Sequence, residues 1–287
     1  MVDVYVLVGP AGIGYAHSRI HVQVGNSDAL LGRTLVLVAH PDDESAGCGG
    51  LLQRIAEPIV AIATDGAPRD EFFWGKAGSR LGYVRLRERE LYHALALAGV
   101  SEIALLAHNA GAQESFVDQE LYRAIPEAIE ELAAVVRRYR PDALLTTAYE
   151  GGHPDHDVCS FLAAVLGKQY ALPVWEFPLY HRRQLGDMAF QRFLFASGRE
   201  EDETVLEIRP EEMRIKRQML AAYGSQHPFL GQFDPAREHF RPQHAYDYSH
   251  PPHPGHLNYE AWQWPVTGEE VCGAFARFLQ ERQARVA

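Results

Sequence analysis

Five short apolar runs punctuate the first two thirds of the chain: Leu35 to Ala39, Ile59 to Ala63, Ile103 to Leu106, Ala143 to Thr147 and Val174 to Phe177. They are continuous rather than alternating, as expected for strands buried on both faces. Between them apolar residues recur at helical spacing. Val84, Leu91, Leu95 and Ala98 fall on one helical face, and Gly99 suits a left-handed cap after it. Phe116, Leu121, Ile125, Ile129, Leu132 and Val136 mark a second helical stretch, which Pro126 should kink or divide. Strand and helix alternating in this way predict βαβ units, hence an α/β fold with a mainly parallel sheet and helices on both faces.

The two ends of the chain follow this scheme less closely. Val4 to Val8 suggests an edge strand, and Gly9 to Gly14 matches neither the dinucleotide nor the P-loop spacing, so it reads as a turn. From Ser225 to about Thr267 the period dissolves into Pro, His, Tyr and Trp. Phe229, Phe233, Phe240, Tyr246, Tyr248, Tyr259, Trp262 and Trp264 make that stretch too aromatic for disorder, and an ordered extension wrapping the domain is expected. Helical periodicity returns from Glu269 to Gln280 through Val271, Phe275 and Leu279. One domain over 1–287 follows, with a core of about 33–226 and an extension of about 227–287.

Composition narrows the partners. With 27 Lys and Arg against 38 Asp and Glu, the formal charge of −11 disfavours a nucleic-acid backbone or an anionic membrane surface. Cys48, Cys159 and Cys272 are too few and scattered for a disulfide framework and read as reduced thiols. No signal-peptide pattern and no run of membrane-spanning length is present in the sequence, so a soluble cytoplasmic protein is expected, as a monomer or a homo-oligomer.

Chemistry concentrates in two clusters, each placed directly after an apolar run. His40-Pro41-Asp42-Asp43-Glu44 follows the first, and Glu150-Gly151-Gly152-His153-Pro154-Asp155-His156-Asp157 follows the fourth. In a parallel sheet the ligand crevice lies outside the carboxyl ends of the strands, so both clusters are expected at such ends. A catalytic zinc site needs about three protein ligands and an open position. His40, Asp43 and His156 supply that number. Asp42 is then free to take a proton from water, and His153, oriented by Asp155, to protonate a leaving amine or stabilise an oxyanion.

At these residues the chain resembles the LmbE-like, or PIG-L, deacetylase family, which includes N-acetylglucosaminyl-phosphatidylinositol (GlcNAc-PI) de-N-acetylase. Ala39-His40-Pro41-Asp42-Asp43-Glu44 is similar to the family's first motif, and Gly152-His153-Pro154-Asp155-His156 to its second. Thr64-Asp65-Gly66, Arg87 with Glu90, Ala98-Gly99-Val100 and Ser225-Gln226 agree as well, so the likeness runs from about Leu35 to Gln226. It implies a Rossmann-like fold, zinc or another divalent metal on His40, Asp43 and His156, and Asp42 as the general base. Two positions that border the substrate in relatives depart from the pattern: Ala112 stands before Gln113-Glu114 where an Asp is frequent, and Gly151 stands where mycothiol-type enzymes carry Tyr.

The expected activity is hydrolysis of an N-acetyl group on an amino sugar or glycoconjugate. Its rivals are an amidase acting on a non-sugar N-acyl compound and a non-catalytic carbohydrate-binding protein. Asp65, Arg87, Gln113 and Gln226 are candidate substrate contacts, although Arg87 and Glu90, three apart on a helix, also suit an ion pair. Glu44 reads equally as a support for a ligand histidine or a helix N-terminal charge. His244, His250, His253 and His256 read as a surface loop, Tyr259, Trp262 and Trp264 as a rim or as core, and the stretches from Pro68 to Gly82 and after Ser225 as the pocket wall.

Overall fold

In a computed structural model that describes residues 27–108, 116–183, 186–194 and 203–284, the apolar runs become the strands of one sheet. They are β1 (Arg33–Val38), β2 (Glu57–Ile62), β3 (Glu102–Leu105), β4 (Ala143–Thr147) and β5 (Val174–Phe177). β6 (Tyr180–Arg182) and β7 (Met188–Phe190) form a separate hairpin, while β8 (Thr204–Glu207) and β9 (Arg237–Pro242) join the large sheet. Its order is β3-β2-β1-β4-β5-β9-β8. β1 to β5 pair in parallel, whereas β9 runs antiparallel to both β5 and β8. The expected edge strand at Val4 to Val8 and the turn at Gly9 to Gly14 lie outside the described residues.

Helices cover both faces. The first predicted helix spans Arg80–Leu97, and Gly99, at φ 76°, follows it in the left-handed conformation that its lack of a Cβ allows. Pro126 does divide the second stretch. A short 3-10 turn, Leu121–Arg123, precedes a helix Ile125–Tyr139 whose first turn contains the proline, where no intrahelical N–H is needed.

Two apolar clusters result. One face packs Leu35, Leu37, Ile59, Ile129, Leu132, Leu144 and Phe161 against Leu257, Tyr259 and Phe275 of the C-terminal segment. The other packs Val36, Val38, Val60, Leu91, Leu145 and Phe177 against Met219, Tyr223 and Phe240. The aromatic extension is therefore ordered and contributes to the core. The aperiodic stretch after Ser225 nonetheless contains a strand, β9, which the sequence pattern did not show. Among the described residues no helix is long and apolar enough to cross a membrane.

Candidate metal-dependent active site

β1 and β4 are parallel neighbours, so the turns leaving their carboxyl ends meet. After β1 the chain passes His40 and enters the helix Asp43–Leu52; after β4 it passes His153, which caps the helix Pro154–Tyr170 with Pro154 in its first turn. Helix starts are electrically positive, which suits the carboxylates placed there. His40, Asp42, Asp43, His153 and His156 are all buried, none more than 7% exposed.

Asp43 joins the two motifs. Its Oδ2 accepts the His40 backbone N–H at 2.9 Å and lies 3.3 Å from His40 Nδ1, while its Oδ1 lies 3.1 Å from His156 Nε2. Neighbouring ligands of a tetrahedral ion with bonds of about 2.0–2.2 Å stand about 3.3–3.6 Å apart, and the two contacts approach that spacing, each through a different oxygen of Asp43. His40, His153 and His156 also bring one ring nitrogen each within 4.8 Å of one another, as do single donor atoms of His40, Asp118, His153 and Asp155. Burial opposes the charge on Asp43, but His156 and His40 outweigh it and hold the carboxyl well below its usual range.

Asp42 is set apart from this group. Its φ of 132° lies in the left-handed region disfavoured for a side-chain-bearing residue, a strain of the kind found at functional sites. Glu44 helps to hold it there, accepting the Asp42 backbone N–H at 3.0 Å together with the hydroxyls of Ser45 at 2.6 Å and Tyr223 at 2.5 Å. Arg87 lies 3.2 Å from the Asp42 carboxylate and donates to the carbonyls of Pro41 and Gly66 at 2.5 and 3.2 Å. Burial pushes the Asp42 carboxyl up to about 8 against the pull of Arg87. The Arg87–Glu90 pairing suggested by their spacing gives way to this arrangement, because Glu90 turns to the backbone N–H and hydroxyl of Ser225 at 2.9 and 2.6 Å.

The expected partnership of Asp155 with His153 also changes. The Asp155 carboxylate accepts the backbone N–H groups of Gln119 and Leu121 at 2.6 and 3.0 Å and lies 3.3 Å from His40 Nε2. It stands 3.9 Å from His153 Nδ1, which instead accepts the Asp155 backbone N–H at 3.1 Å. The carboxylate facing His153 belongs to Asp118, a residue that sequence analysis missed. Asp118 Oδ1 is buried, 3.3 Å from His153 Nε2 and 3.1 Å from His40 Nε2. Only its place in the fold marks it. Burial and the neighbouring His40 charge depress the His153 imidazole to about 4, favouring the neutral ring.

A cavity of about 440 Å³ opens above these groups. Pro68, Phe72, Phe73 and Tyr83 wall it on one side, and Gln226, Phe229, Trp262 and Trp264 on the other. These are the two stretches expected to build the pocket. Gln226 faces the cavity and donates to the Tyr83 hydroxyl at 2.5 Å. Asp65 does not line it, because its carboxylate pairs with Arg80 and accepts the Ala67 N–H at 3.1 Å. Gln113 and its neighbour Ala112 lie outside the described residues. Trp264 packs edge-on against His153 at 4.9 Å between ring centroids, whereas Tyr259 is fully buried core. Among the described residues, His244, His250, His253 and His256 form no cluster of three metal-binding side chains.

Gly151 has a structural reason in this chain. Its φ is 70°, and a Cβ there would meet Leu257 Cδ2 at 2.6 Å and Pro252 Cγ at 3.1 Å. The extension takes that space and is anchored beside it, with Asn258 donating from its backbone N–H to the Gly151 carbonyl at 2.9 Å and from Nδ2 to the Gly152 carbonyl at 3.1 Å.

Residues 35–166 match the PIG-L family model, described as GlcNAc-PI de-N-acetylase. The chain is 32% identical over 136 residues to 2'-N-acetylparomamine deacetylase of Streptomyces fradiae, covering 44% of this chain and 48% of that one. It is 33% identical over 144 residues to 1D-myo-inositol 2-acetamido-2-deoxy-alpha-D-glucopyranoside deacetylase 2 of Catenulispora acidiphila, covering 43% and 47%. The chain thus spans about half the length of these curated relatives. Among solved structures, a deacetylase triple mutant from the teicoplanin biosynthetic pathway superposes with a TM-score of 0.57 at 20% identity, over 73% of this chain and 97% of that chain, a likeness of fold.

Proposed function

We propose, on the footing that residues 35–166 are a PIG-L family domain, that this chain is a divalent-metal-dependent hydrolase removing the N-acetyl group from an amino sugar or glycoconjugate. The observation that carries the proposal is the meeting of two motifs from adjacent strand ends, with Asp42 beside Asp43 but turned to Arg87. The names of the two curated relatives, both deacetylases of amino-sugar compounds, point to the same chemistry. Flat aromatic side chains beside Gln226 and Arg87 form a wall suited to a sugar ring.

His40, Asp43 and His156 would hold the ion, with zinc the first choice for two imidazoles and a carboxylate. When bound, such an ion polarises the amide carbonyl and lowers the pKa of water towards about 7. A positive charge at these ligands also favours the ionised form of Asp42, which is the form that accepts a proton from the attacking water. The same carboxyl can then return that proton to the departing amine. His153, neutral and with its Nδ1 already accepting a backbone N–H, carries its proton on Nε2, which faces the Asp118 carboxylate at 3.3 Å; to stabilise the developing oxyanion it would turn that N–H from Asp118 to the substrate.

The test is acetate release by the metal-loaded protein from a panel of N-acetyl amino sugars and N-acyl amino acids. Hydrolysis of the sugars is expected, and Asp42→Asn should lower kcat by about 10²–10⁴-fold while metal content is kept. Wild-type turnover by Asp42→Asn with metal bound would remove Asp42 from the mechanism, and hydrolysis confined to N-acyl amino acids would replace the substrate class.

A further inference from the structure

His153 reaches a developing oxyanion only by leaving Asp118, yet the cavity holds a donor with no partner to leave. Tyr180, 7% exposed, lines the cavity with His40, Asp42, Asp43 and His153, and its ring meets His156 edge to face at 5.5 Å. Among the described residues no hydrogen bond engages its hydroxyl, whereas the phenols of Tyr149, Tyr223 and Tyr246 each donate to an oxygen. Burial, and then the carboxylates of Asp43, Asp42, Asp118 and Asp155, oppose ionisation of the Tyr180 phenol, which keeps its proton. We propose that Tyr180 is a catalytic residue whose hydroxyl donates a hydrogen bond to the oxyanion formed from the amide carbonyl. This rests on the deacetylase assignment and adds to it a donor that needs no rearrangement.

The fold fixes where that side chain stands. Tyr180 opens the β6–β7 hairpin opposite Phe190, and the Gln191 backbone N–H donates to the Leu179 carbonyl at 2.8 Å. The hairpin is pressed against the second motif: a Cβ on Gly152 would meet the Tyr180 carbonyl oxygen at 1.8 Å, so the bare glycine lets the two segments close on each other. Phe190, Phe229 and Trp262 pack around the Tyr180 ring at 6.1, 5.0 and 6.2 Å between centroids. A donor held in this way costs no reorganisation at the moment of reaction, which is what makes an oxyanion contact effective. In the step it serves, the water oxygen bonds to the amide carbon while a water proton passes to Asp42, and the carbonyl π pair moves onto oxygen, where the charge meets the Tyr180 hydroxyl. Collapse re-forms the carbonyl, breaks the C–N bond and returns the proton from Asp42 to the amine. Tyr180 keeps its own proton throughout.

The experiment uses the zinc-loaded full chain, as wild type and as Tyr180→Phe. Acetate release from N-acetylglucosamine gives kcat and KM, and isothermal titration gives the affinities for N-acetylglucosamine and for N-methylphosphonyl glucosamine, whose tetrahedral P–O⁻ stands where the oxyanion forms. In Tyr180→Phe kcat should fall about 10²–10³-fold, as for the loss of one oxyanion donor, with KM within about threefold of wild type. Affinity for the phosphonyl compound should fall about tenfold or more, and that for N-acetylglucosamine by about threefold at most. Zinc content and melting temperature should hold, because the substitution breaks no hydrogen bond of the folded protein. Unchanged turnover and phosphonyl affinity would overturn the proposal and leave the oxyanion to His153. An equal loss of affinity for both compounds would make Tyr180 a wall of the pocket alone, and a loss of zinc or of melting temperature would make it part of the framework. If the phosphonyl preference falls in Tyr180→Phe but the wild type releases no acetate, the contact stands and the deacetylase assignment falls.

Discussion

Asp118 faces two imidazoles at once, 3.1 Å from His40 Nε2 and 3.3 Å from His153 Nε2. Carboxylates in such a place fix the tautomer and direction of a ligand histidine, and their loss typically costs 10–100-fold in metal affinity or activity. Asp118→Asn keeps the shape and removes the charge. Its apparent zinc affinity, measured by competition with a chelator, should fall about 10–100-fold. Turnover should stay low even at saturating metal, because His153 loses the same partner. Wild-type affinity together with wild-type saturated turnover would show that Asp118 serves neither histidine. Sequence showed His40, Asp42, Asp43, His153 and His156 because the fold brings together two compact motifs, each contiguous in the chain. It did not show Asp118, a lone acidic residue in a stretch without a motif, and it paired Asp155 with His153 alone, whereas the carboxylate lies nearer His40, because adjacency in sequence says little about where a carboxylate points.

At the scale of elements, the helix Asp43–Leu52 carries the first motif and is interrupted at Cys48, where φ is −141°. The backbone N–H groups of Gly50 and Leu51 then donate to Glu238 of β9 at 2.6 and 2.8 Å, and Glu238 also receives Lys216 Nζ at 2.7 Å. Both charged side chains have no solvent exposure. Removing one partner from such a pair leaves an uncompensated buried charge and costs about 3–5 kcal/mol. Lys216→Met should therefore lower stability to denaturant by about that amount, and adding Glu238→Gln should recover part of it, since a neutral amide still offers an oxygen to the helix. Equal stability of Lys216→Met and wild type would show that Lys216 is dispensable to the helix. This device also explains why β9 escaped the sequence pattern. β1 to β5 are apolar runs, whereas β9 reads Arg237-Glu238-His239-Phe240-Arg241-Pro242, and its inward charges are neutralised by residues distant in the chain.

Across the whole molecule, the boundary between the parallel strands and the antiparallel edge is held by a second buried pair. Glu176 of β5 lies opposite Arg241 of β9, accepts its Nε–H at 2.6 Å and also accepts the Tyr246 hydroxyl at 2.7 Å. Burial pushes the Glu176 carboxyl up to about 7 despite the pull of Arg241, from an ordinary 4.5. An acid whose folded pKa lies above its unfolded one contributes stability that is fully present below about 4.5 and is lost as pH rises through about 7. The contribution of this group should thus decline across that window, by on the order of 3 kcal/mol for a shift of this size. Glu176→Gln removes the titration while keeping an oxygen for Arg241. At pH 5, where Glu176 is itself protonated, the variant is expected to be about as stable as wild type. The informative quantity is the slope: denaturant unfolding at pH 5 and pH 8 should show a smaller loss between the two pH values in Glu176→Gln than in wild type. If both lose stability equally, Glu176 is ionised across the whole range, and Coulomb attraction to Arg241 outweighs burial at this boundary.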